Sequence, residues 1–81
     1  MAVTFNEGVS MTIKENLFYK AAVSHFQSQK DEAEAVLDMY FHNNVGVGEH
    51  SHILSEITEW TKKLAESEEC LKTLSDYADT E

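Results

Sequence analysis

Arginine and proline are both missing from this chain, cysteine occurs once, and glycine occurs three times in 81 residues. Each scarcity excludes something. Six scattered Lys stand against 15 Asp and Glu, for a formal charge of -9. No cationic cluster exists to displace counterions from a nucleic-acid backbone, so direct nucleic-acid binding is not expected. A single thiol, Cys70, rules out an internal disulfide and a cysteine-based zinc cage, and it suits a reducing compartment. No apolar run approaches the ~18 residues of a membrane span, and the first residues carry neither the basic region nor the apolar stretch of a secretion signal. The expectation is a soluble, cytoplasmic protein with no membrane partner. At 9.2 kDa there is room for one domain, which buries roughly 60% of its unfolded surface if compact. Stability at that size is marginal, so a partner chain is expected.

With no proline, and with glycine confined to positions 8, 46 and 48, little interrupts the chain. Residues 1–10 (MAVTFNEGVS) are too short to pair with anything and read as an irregular leader to a single domain over 11–81. Thr12 and Glu15 form a Thr-x-x-Glu capping box, with Ser10 as a competing cap, which predicts a helix over about 12–43. Its apolar members Phe18, Ala22, Phe26, Ala33, Val36, Leu37 and Tyr40 follow helical spacing. The pattern weakens from Gln27 to Glu32; one continuous helix is preferred to two because no strong breaker lies there. Asn43 to Gly48 tolerate left-handed backbone and give a turn over 44–49. A second helix over about 50–77 places Ile53, Ile57, Trp60, Leu64, Ser67, Leu71, Leu74 and Ala78 at alternating steps of four and three. That is a heptad seam with one polar member, Ser67.

Doubling back at Val47 puts residue i near residue 94 minus i, so Ser67 is expected to face Gln27 and Ser28. The fold class is therefore all-α, an antiparallel two-helix hairpin. Leu17, Tyr19, Ala21, Val23, Met39, Phe41 and Leu54 lie outside the main seam and make the apolar arc too wide for one neighbour. The expectation is a homodimer that closes into a four-helix bundle.

The conspicuous polar cluster is His42, Glu49, His50 and His52 around the turn. These are ligand types for zinc or another transition metal, but His50 and His52 are two apart, so their rings do not share a face as an i, i+4 pair does. A solvated turn is the preferred reading, with no metal and no cofactor, and metal binding is the alternative. His25 beside Phe26 reads as a flank of the core. Cys70, next to Glu68 and Glu69, reads as a structural thiol, since the neighbouring carboxylates disfavour its thiolate. Gly46-Val47-Gly48 lacks the strand, the lysine and the third glycine of a phosphate loop. From residue 45 onward nine acids stand against three lysines. This reads as a solvated face, and alternatively as an imitation of DNA that occupies a basic DNA-binding protein.

The turn Asn43-Asn44-Val45-Gly46-Val47-Gly48-Glu49-His50, followed by Ile53 and a Glu-rich heptad helix, resembles small helical proteins encoded by marine T4-like phages of the cyanophage type. The likeness covers roughly residues 18–74; where those proteins often carry proline, this chain has Asn44 and Ser51. It implies a helical hairpin of phage or phage-like origin, in the host cytoplasm, and brings no activity with it.

No nucleophile is matched to a base and no cofactor fingerprint is present, so catalysis is not expected. The chain reads as a small acidic interaction or accessory protein, acting as a homodimer and on a further protein partner.

Overall fold

The computed structural model describes residues 11–43 and 50–81, and every regular element among them is helical. A 3-10 turn (Ile13–Glu15) precedes α1 (Leu17–Asn43), and α2 (His50–Ala78) packs against α1. The leader 1–10 and the turn 44–49 lie outside the described residues.

The capping box forms, but it encloses only the 3-10 turn. The Thr12 N–H donates to Glu15 Oε1 at 3.0 Å. Asn16 then adopts extended backbone (φ -70°, ψ 137°), and its Oδ1 accepts from the amides of Phe18 (2.8 Å) and Tyr19 (3.4 Å). An asparagine side chain that satisfies the first free amides is a strong helix start, so α1 begins at Leu17 and not at Thr12. From there the helix runs unbroken through Gln27–Glu32. Pairs at i, i+4 hold that polar stretch: Gln27 Nε2 with Asp31 Oδ1 (3.0 Å) and Lys30 with Glu34 (3.6 Å).

The two helices are antiparallel. At the open end the Ile13 N–H donates to Glu81 Oε1 (2.7 Å) and Lys14 pairs with Asp79 (2.9 Å), which docks the 3-10 turn on the end of α2. Midway, Gln29 Nε2 reaches Ser67 Oγ (2.8 Å), Glu66 Oε1 (3.1 Å) and Lys63 O (3.4 Å). Each of these contacts lies within two residues of the register expected from a fold-back at Val47.

On α1 the inward row is Tyr19, Ala22, Phe26, Gln29, Ala33, Val36 and Tyr40, stepping by three and four as α2 does. Two expectations are corrected here. Phe18 is 88% exposed, and Tyr19 takes its place in the seam, because only Tyr19 keeps the three-four rhythm with Ala22 and Phe26. Ser67 meets Gln29 and not Gln27 or Ser28, since those two fall outside the inward rows and are exposed. Ala22, Phe26, Val36, Leu37 and Tyr40 of α1, and Ile53, Ile57, Trp60, Leu64, Leu71 and Leu74 of α2, are each partly buried.

Among the described residues only Ala33 (0% exposed), Ser67 (0%) and Ala78 (5%) are buried. All are small, as expected where two helix backbones approach and leave no room for a branched side chain. The Ser67 hydroxyl accepts from Gln29 and donates to Lys63 O (2.8 Å), so its polar atom is fully satisfied. Replacing Ser67 with Leu makes the heptad fully apolar, yet the site has no space for it. The expected result is a loss of about 1–3 kcal/mol in urea unfolding despite the gain in hydrophobicity. A more stable variant shows that the seam opens here.

Candidate functional site

The hairpin presents two unlike sides. Gln29 marks the first, because its bonds to Lys63 O and Glu66 fix which flanks of α1 and α2 lie together. Seven-residue steps place Phe18, His25, Glu32 and Met39 on that side of α1. Glu59, Glu66 and Lys63 lie on the same side of α2. It is mixed and acidic. Lys63 also sits 4.2 Å over the Trp60 ring, and Trp60 Nε1 donates to Glu56 Oε1 at 3.3 Å.

The opposite side is apolar. Val23 and Leu37 of α1 lie beside Ile57, Leu64 and Leu71 of α2, all partly buried by the seam and partly open. At the turn end it adds Phe41 (62% exposed) and Leu54 (66%). Leu17 (75%), Met39 (44%) and Tyr77 (63%) are exposed elsewhere on the hairpin. This breadth of open apolar surface is what the surplus apolar positions on α1 imply, and it is the most pronounced feature of the molecule.

His25, His42, His52 and Cys70 lie off this strip. His25 meets Phe26 edge-on, ring centroids 4.9 Å apart. His42 Nδ1 lies 2.8 Å from Asp38 Oδ1, one turn back on α1, an ion pair when the ring is protonated. His52 is exposed on the first turn of α2, while Glu49 and the side chain of His50 lie outside the described residues. Among the described residues no three His, Cys, Asp or Glu side chains converge on a point that would hold a metal ion. Cys70 is a free, partly buried thiol on α2. No helix among the described residues is long and apolar enough to cross a membrane.

The clearest electrostatic organisation is the clasp at the open end. Hydrogen bonds from the Thr12 backbone, then from its hydroxyl, hold the Glu15 carboxyl below its usual 4.5. Asp79 raises the Lys14 ammonium above its usual 10.5, chiefly through the hydrogen bond and secondly through its charge, and Asp76 does the same for Lys72. These groups are solvent-exposed, so they align the ends more than they stabilise the fold. Gln29, which pins the seam at mid-length, was not singled out by sequence reasoning. The signal that finds it is the three-four rhythm through Ala22, Phe26 and Ala33.

No family model, curated protein or solved structure matches this chain. The geometry stands alone as the guide to function.

The lowered Glu15 value has a definite sign. Its cap contributes above the ordinary carboxylate range and is lost as pH falls through the lower, folded value. In a proton NMR titration the Thr12 amide shift should move with Glu15, at a midpoint below 4.5, and Glu15→Gln should abolish that movement. A midpoint at or above 4.5 means the carboxylate does not cap Thr12 in solution.

Proposed function

We propose that this protein acts by association and not by catalysis: an acidic helical interaction protein whose working unit is a homodimer. The observation that carries this reading is the apolar side of the hairpin, with Val23, Leu37, Ile57, Leu64 and Leu71 only partly covered and Phe41 and Leu54 open. Full burial of one such side chain is worth about 1.5–3 kcal/mol, so leaving two open and five half-covered forfeits a sizeable part of the net stability of a small domain. A second hairpin supplies the missing cover and yields a four-helix bundle, the ordinary outcome for two such hairpins. The bundle's acidic exterior then keeps it soluble and selects basic or neutral surfaces in any further partner.

Sedimentation equilibrium at micromolar concentration tests the reading. The expected mass is twice the 9.2 kDa of one chain. Leu64→Asp should abolish the dimer or unfold the chain, because it places a carboxylate on the apolar side. Ala65→Asp adds the same charge at an exposed neighbour and should leave the dimer intact. A wild-type chain that stays monomeric overturns the proposal.

A further inference from the structure

The occupant of the apolar side, and its orientation, follow from matching the two flanks of the hairpin to each other. We infer that a second copy docks with its helices side by side in the same sense, related by a two-fold axis parallel to the rods, so that α1 of each copy lies along α2 of the other. The inference rests on the homodimer proposed above and adds the face and the register.

The same sum that aligns the two arms of one hairpin governs this docking, because the turns of both copies lie at one end. Residue i of α1 then comes beside residue 94 minus i of the second copy's α2. Val23 falls beside Leu71 of the second copy and Leu37 beside Ile57. Phe41 and Leu54, the exposed large hydrophobics of this face, fall within one residue of each other. Gln27 comes within one residue of Glu68 of the second copy, and Lys30, tied to Glu34 in its own helix, falls beside Leu64 and within one turn of the same Glu68 carboxylate. The other two-fold arrangement, with turns at opposite ends, stacks Lys30 on Lys30 at the axis and sets Phe41 against Lys20. The side marked by Gln29 is a poor alternative, since Glu32, Glu59 and Glu66 of two copies would be pressed together there with Lys63 as the cation among them.

The size of the face fits this occupant. A helix of 27 residues is about 40 Å long at 1.5 Å per residue. Two helices packed about 10 Å apart present a strip about 20 Å wide. The product, about 800 Å², is one partner's share of a standard specific interface.

Disulfide trapping distinguishes the possibilities. Cys70→Ser provides a cysteine-free parent, into which Gln27→Cys and Glu68→Cys are placed separately; both positions are exposed, so neither disturbs the seam. In the proposed register the two cysteines of different chains approach within disulfide range. Mild oxidation of the mixed variants should give a covalent species of twice the chain mass, several-fold more than either variant alone. The pair His25→Cys and Glu66→Cys marks the opposite side and should give none above background. If the parent sediments as a dimer but only the second pair cross-links, or neither does, the register inferred here is wrong while the homodimer stands. If the parent sediments at 9.2 kDa, the homodimer itself fails and this inference falls with it.

Discussion

The structure depends on a single seam between two helices, three residue rows wide on each. At its centre sit Ala33, Ser67 and Ala78, small enough for the backbones to close over them. The larger members, Phe26, Leu37, Ile57, Trp60 and Leu64, reach past it and are only partly covered. This follows from geometry: one cylinder shields a limited arc of another, and a side chain at the edge of that arc is wet on its outer half. The seam therefore aligns the helices without drying them. Alignment comes from steric fit and from the Gln29–Ser67 contact.

Charge divides the remaining surface. The i, i+4 pairs Lys30–Glu34, Asp38–His42 and Lys72–Asp76 lie along the helices and support them locally. Acids gather on the Gln29 side, where Glu32, Glu59 and Glu66 are exposed; Lys62 pairs with Glu59 (3.8 Å). A chain with formal charge -9 resists indiscriminate clumping, and its open apolar strip lies on the side where the acids are fewer. In the proposed dimer, acidity keeps copies apart in most orientations and the apolar strip rewards one.

Much of this could be read in the residues. The second helix announces itself, since an unbroken four-three alternation from Ile53 to Ala78 has no other comfortable conformation. The first helix is less legible at its beginning. Thr12 and Glu15 satisfy a capping rule, yet Asn16, four residues later, satisfies a stronger one, and local rules do not rank the two. Phe18 and Tyr19 stand four and three residues before Ala22, so helical spacing to Ala22 alone admits either, and the alternation carried on through Phe26 and Ala33 selects Tyr19. Level along the rod points to Gln27 and Ser28 as the counterparts of Ser67, whereas angular row decides the contact, and it falls to Gln29. The surplus of apolar residues was evident in the sequence. Which side of the hairpin they occupy was not, because that depends on the handedness with which the flanks of two antiparallel helices are brought together.

The Gln29 contact carries a consequence for folding fidelity. A seam that repeats every seven residues is tolerant of slippage by one whole repeat, since each large apolar residue then meets another of its kind. Gln29 removes that tolerance. A slide of one repeat would set its amide beside Trp60 or Leu74 in place of the Ser67 hydroxyl, losing its shortest hydrogen bond and the bond that satisfies the buried serine. One glutamine thus acts as a ratchet tooth on an otherwise smooth rail.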